Sequence, residues 1–308
     1  MQEDDKTTLS YPFALMLNSQ TGRLNHDMNI LIDQYTMIPE EQRRKYKTAG
    51  LSWGISTLFP RAKYDQLLLC SRYIVFLFTL DDYYCSFSFE EINSIFNDFE
   101  QILNGRQMPI ENDPTQKQLF QLRHELLPQV TSDWMQRFIN DLRFHFDGML
   151  MEYQYDGYPS ITDYVNIRER LSACDSLQDL IELQCGFFFS EKVMQHPFMK
   201  RLRQLTRRMT GFCNDFYSWP KELKHGEKMN LILIIQHEMK CSIDQAICEA
   251  VRMHDDHLKE FIQLTDQVNT LEFDSQNRAA LIKYIDHLKL FIQGHHAWHS
   301  HSRRFKNE

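Results

Sequence analysis

Apolar residues recur three and four apart over long stretches of this chain, with polar residues filling the positions between. That spacing predicts helices over 62–84, 116–126, 131–153, 161–173, 176–188, 197–223, 229–240, 242–269 and 276–298. Side chains able to satisfy the first free N–H groups stand before several of them, such as Thr131-Ser132-Asp133 before Trp134 and Ser242 before Ile243. Short breakers separate them, including Asn112-Asp113-Pro114, Gly157-Tyr158-Pro159 and His225-Gly226. No strand pattern, repeat or low-complexity tract interrupts the series. About nine helices with short connections predict one all-α bundle over residues 1–308, its ends at 1–10 and 299–308 flexible. Two segments, 67–80 and 183–189, are apolar nearly all round and predict helices buried on every side. Their aromatics Phe76, Phe78, Phe187, Phe188 and Phe189, with Trp298, are candidates to line a central apolar cavity.

Composition narrows the function. Apolar residues make up 43% and charged residues 25%, so neither disorder nor a fibrous repeat fits. Only 10 glycines and 9 prolines argue against a hairpin-rich β fold. The net charge of −8 argues against nucleic acid as a partner, and an anionic substrate would need local cations or a bound metal. Seven cysteines, odd in number and without a C-x-x-C pair, suit reduced thiols in the cytoplasm. The polar, acidic start predicts no secretory leader. The longest apolar run, Tyr73 to Leu80, is far short of the ~20 residues of a membrane span.

Candidate chemistry concentrates in four places. Asn214, Ser218 and Glu222, within Asn214-Asp215-Phe216-Tyr217-Ser218-Trp219-Pro220-Lys221-Glu222, are spaced i, i+4, i+8. Each lies only ~40° round the helix from the last, so an amide, a hydroxyl and a carboxylate share one face. An oxygen-only set of that kind suits a hard cation such as Mg²⁺, with Lys221 beside it to meet phosphate. The alternative, a solvated polar stripe, sits poorly beside Met209, Phe212, Phe216 and Trp219, which predict a largely buried helix. Pro220 inside the run predicts a local bend. Second, Asp81-Asp82 follows the apolar run and brings two carboxylates that need a positive partner. Third and fourth come Arg168 with Arg170, and the C-terminal Trp298 to Phe305 stretch with Arg303 and Arg304, whose guanidinium groups suit diphosphate.

Together these elements resemble a class I terpene synthase of the bacterial type. That family carries an aspartate-rich motif on one helix, an N-D-x-x-S-x-x-K-E motif on another, a diphosphate-sensing arginine between them and an Arg-Tyr pair near the C-terminus. The resemblance runs from Tyr11-Pro12-Phe13 to Arg304, with Arg168 46 residues before Asn214 and Trp298 six before Arg304. The chain departs from the pattern at Tyr84, Cys85 and Ser86, where a further acidic residue is usual, and at Phe305, which replaces tyrosine. Asp81 is therefore the expected metal ligand and Asp82 its supporting or salt-bridging neighbour. Ser172 or Ala173 holds the place of the small residue after the sensor.

The resemblance implies a lyase that ionises a linear prenyl diphosphate and cyclises the carbocation, releasing diphosphate. It implies three Mg²⁺ ions, with Mn²⁺ as a substitute, held by Asp81, Asn214, Ser218 and Glu222. Arg168, Lys221, Arg304 and Phe305 would meet the diphosphate, and the C-terminal stretch would order when substrate binds. Phe78 and Trp298 would face the cation, through attraction to their ring faces. Aromatic crowding favours farnesyl diphosphate (C15) over geranylgeranyl diphosphate (C20), as monomer or homodimer. The competing readings are a chain-elongating prenyl synthase, a metal phosphohydrolase built on His254-Asp255-Asp256-His257, and a non-catalytic helical scaffold. His295, His296, His299 and His301 read as a polar helix end, with a transition-metal site as the alternative.

Overall fold

The computed structural model describes residues 7–305 and contains no strand among them. Its helices are α1 (Thr21–Asp33), α2 (Glu40–Thr48), α3 (Leu51–Leu58), α4 (Tyr64–Asp82), α5 (Phe89–Asn104), α6 (Pro114–Leu126) and α7 (Ser132–Glu152), followed by α8 (Ile161–Leu171), α9 (Cys174–Cys185), α10 (Glu191–Met194), α11 (Pro197–His225), α12 (Leu231–Met239), α13 (Ile243–Asp266) and α14 (Ser275–His301). Local chemistry sets many of their ends. The Thr131 hydroxyl accepts the Trp134 N–H to start α7, and Ser242 and Gln245 close a reciprocal cap on α13. At the far end of α9, Gly186 takes φ 72° and stops the helix. The Leu183 to Phe189 run is therefore not one helix, as its apolarity suggests. Phe187 to Phe189 lie beyond the end of α9, outside any helix, and line a groove of about 300 Å³ with Gln276, Asn277 and Lys283.

The aromatic residues fill the interior in two ways. Phe96 stacks on Phe146 at 4.0 Å between centroids, and Trp134 stacks on Phe138 at 5.2 Å, tying α5 and α7 into the core. Phe76 is packed between Tyr73 and Phe99. Phe78 and Trp298 do meet, edge to face at 5.8 Å, where α4 and α14 approach the same end of the bundle. Helix α14 lies close against α3, and a Cβ on Gly294 would fall 2.3 Å from the Thr57 carbonyl oxygen. Among the described residues, no helix is long and apolar enough to cross a membrane.

Candidate active site

Helix α4 ends in Asp81 and Asp82, and α11 carries Asn214, Ser218, Lys221 and Glu222. Pro220 lacks the N–H that would bond back along the helix, yet α11 runs unbroken to His225 and keeps the three oxygen donors on one side. They do not face open solvent, since Ser218 is buried and Asn214 and Glu222 are half-buried. The Asn230 amide reaches over from the start of α12, donating to Glu222 Oε2 at 2.7 Å and to Ser218 Oγ at 3.4 Å.

Two arginines bracket these donors. Arg304 reaches back from the C-terminal turn to α4, with N–O distances of 2.9 Å to Asp81 and 3.0 Å to Asp82. Its guanidinium lies 4.6 Å from the centre of the Phe78 ring, and Gln42 donates to Asp82 Oδ2 at 3.0 Å. Burial would raise the Asp82 carboxyl, but the charge and hydrogen bonds of Arg304, with help from Tyr46, hold it below the usual carboxylate value. The C-terminal stretch is thus docked as far as its last described turn: α14 continues through His301, and Ser302 Oγ donates to Ala49 O at 2.9 Å. Trp298 Nε1 donates to that same carbonyl at 3.2 Å. The Phe305 side chain lies outside the described residues.

Arg168, near the end of α8, pairs with Asp215 at 2.9 Å and donates to Asn214 Oδ1 at 2.6 Å. Two residues beyond α8, Ala173 sits at φ 49°, so the chain breaks between α8 and α9 at Ser172 and Ala173. The Ser172 hydroxyl turns back onto the Glu169 carbonyl at 3.0 Å. Phe78, Trp298, Arg304 and the carboxylates of α4 thus form one wall, and Arg168 with α11 forms the other. The charges of Lys221 and Arg168 both act on Asp81, which joins the two walls electrostatically.

Several participants act through contacts that residue spacing does not show. Asp215 is buried, and its second oxygen accepts from the Tyr164 hydroxyl at 2.8 Å and the Leu231 N–H at 3.2 Å, which fixes the Arg168 anchor. Glu152, the last residue of α7, borders a recess of about 230 Å³ with Ile92, Met149 and Tyr153. Burial and the charge of Asp81 push its carboxyl up to about 7, with Glu222 adding to the rise. Burial and Asp215 push Glu222 up to about 7 as well. His299, expected at a polar helix end, is buried and pairs its Nε2 with the Asn214 amide nitrogen at 3.0 Å.

A divalent cation fits this arrangement. Glu152 lies within electrostatic reach of Asp81 and Glu222, burial and the neighbouring carboxylates hold Glu152 and Glu222 up at about 7, and the donors on α11 are all oxygens. The His254 to His257 alternative does not hold together. His254 meets Tyr11 at 2.7 Å, Asp256 meets Arg252 on the surface and His257 meets Arg208.

A family model described as terpene synthase family 2, C-terminal metal binding, matches residues 72–260. The chain is 25% identical to the (+)-T-muurolol synthase ((2E,6E)-farnesyl diphosphate cyclizing) of Roseiflexus castenholzii, covering 99% of this chain and 95% of that one. It is 24% identical to the 10-epi-cubebol synthase of Sorangium cellulosum, over 93% and 94% of the two chains. Among solved structures, germacradien-4-ol synthase from Streptomyces citricolor superposes with a TM-score of 0.84 at 22% identity, covering 97% of this chain and 99% of that one.

Proposed function

The chain belongs to the terpene synthase family, and from that premise we propose that it ionises farnesyl diphosphate and cyclises the C15 cation. The reading is supported above all by two facing walls, one of carboxylates and one of oxygen donors, each with its own arginine. Names of relatives that cyclise farnesyl diphosphate support the chain length.

We assign divalent binding to Asp81 on one wall and to Asn214, Ser218 and Glu222 on the other, with Mg²⁺, three ions in number, as the resident metal. When bound, the ions supply Lewis-acid stabilisation of the departing diphosphate. Arg168, Lys221 and Arg304 bind the diphosphate oxygens and offset the negative charge that grows as the carbon–oxygen bond breaks. Both arginines already hold carboxylates or amides, so they exchange one set of oxygen partners for another when substrate arrives. Phe78 and Trp298 present ring faces and edges to the cation, and their packing excludes water that would quench it.

Incubation of the purified protein with C10, C15 and C20 diphosphates and Mg²⁺, followed by gas chromatography and a diphosphate assay, tests the reading. The expected outcome is a cyclic C15 product that disappears with a chelator. Diphosphate release at background for every chain length would favour a non-catalytic scaffold, and turnover confined to the C20 substrate would make the protein a diterpene synthase.

A further inference from the structure

Beside the oxygen-lined site lies a second group of donors of different chemistry. Cys213 on α11 and His295 and His299 on α14 each offer a ligand atom, and these three atoms lie within 4.8 Å of one another. Cys213 precedes Asn214 by one residue, which turns its side chain ~100° round α11 from the oxygen donors. His295 and His299 are one turn apart, their ring centroids 4.0 Å from each other. Cys213 and His299 are buried, whereas His295 is only half-buried and leaves a way in.

Hydrogen bonding fixes which atoms are available. His299 Nδ1 lies 2.8 Å from the His295 carbonyl oxygen, which can only accept, so Nδ1 carries the proton. Its Nε2 therefore holds a lone pair, directed at present to the Asn214 amide. That backbone bond also orients the ring as outer partners orient metal-binding imidazoles. His295 Nδ1 is buried without any hydrogen-bond partner, an unsatisfied state that a polar atom inside a folded protein rarely keeps. A thiol and two imidazoles, one of them unsatisfied, make a soft set that Mg²⁺ does not favour and Zn²⁺ or Co²⁺ does.

We propose that Cys213, His295 and His299 form a binding site for a borderline divalent ion of the Zn²⁺ or Co²⁺ type, distinct from the magnesium site. Three protein ligands leave a fourth position to water. Binding there takes the His299 lone pair from the Asn214 amide and places positive charge beside the magnesium donors. The soft ion therefore antagonises turnover. This second half rests on the function proposed above; the first half does not.

Cobalt reports the site without any turnover. Co²⁺ is added to the full-length protein in excess Mg²⁺, which occupies the oxygen donors. One equivalent is expected to produce the intense visible bands of tetrahedral cobalt with thiolate-to-metal absorption in the near ultraviolet. Both should vanish in Cys213→Ser, and His295→Gln should weaken cobalt binding at least tenfold, with circular dichroism unchanged in each. Only the weak spectrum of oxygen-bound cobalt, or thiolate bands that persist in Cys213→Ser, would overturn the site. Zn²⁺ in excess Mg²⁺ is expected to slow wild-type turnover and to spare Cys213→Ser. Equal inhibition of both would remove the antagonism, whatever the cobalt spectra show.

Discussion

Glu222 and Asn214 shape the site through opposite properties. Asn214 is neutral and held at both ends, its oxygen by Arg168 and its nitrogen by His299, with a second lone pair left on the oxygen. Glu222 is ionisable and short of positive charge. Its carboxyl titrates near 7 in place of the ordinary value of about 4.3, because burial and Asp215 disfavour the anion. A carboxyl raised in the folded state contributes its full stabilisation only below its unfolded value of about 4.3, and loses that contribution as pH climbs from there through about 7. Glu152 shifts in the same direction, raised by burial and the charge of Asp81. A divalent ion relieves the repulsion only where the carboxylates are ionised. Added Mg²⁺ is therefore expected to raise the melting temperature more at pH 8 than at pH 6, as scanning fluorimetry at both pH values would show. An equal rise at both would separate these carboxylates from the ion. Asn214→Ala and Glu222→Ala should each cut turnover by a factor of about 10² or more with the fold intact by circular dichroism. Unchanged turnover in both would move the metal elsewhere.

Helix packing supplies a different kind of test. A methyl group added to Gly294 meets backbone atoms of α3, the nearest 2.3 Å away, and backbone cannot turn aside as a side chain can. Gly294→Ala is expected to cost about 1–3 kcal/mol, read from a denaturant titration. Wild-type stability would mean that α14 and α3 cross further apart.

Helices α4, α6, α7, α8, α9, α11, α12, α13 and α14 are legible in sequence because their apolar spacing is sustained over several turns. Helix α5 has equally good signals, Ile92, Phe96, Phe99 and Leu103 on one face and the Ser88 and Glu91 cap, yet it was not predicted. Helix α1 likewise buries Leu24, Met28, Leu31 and Ile32. Helix α2 is different, since it buries only Tyr46 and its polar sequence carries no usable pattern. The candidate site divides along the same line. Motifs on one helix could be read by counting residues. Asn230, Glu152 and His299 could not, because their roles arise from contacts between helices; the bond between Asn214 and His299 spans 85 residues.

At the scale of the whole molecule, a layer of buried charge lies between α7, α8, α9 and α11. Arg203 meets Asp141 at 2.6 Å, Asp179 at 2.8 Å and Asp175 at 3.3 Å, while Arg137 holds Asp179 and Glu182. Arg207 and Arg208 continue the layer to Glu169, the residue that follows Arg168. Removing one member leaves its partners buried and uncompensated, which costs more than the intact pair contributes. Arg203→Met should lower stability by about 3–5 kcal/mol, a large share of a typical domain's 5–15 kcal/mol. Chemical denaturation measures this directly, and a loss below 1 kcal/mol would show that water screens the cluster.

The Ala49 carbonyl oxygen holds both Trp298 and Ser302, so one peg fastens the indole and the tail that carries Arg304. A tail that swings away to admit substrate pulls on the same point that steadies the indole. On the proposed function, admission of substrate and the contour of the wall would then be linked through that one carbonyl oxygen.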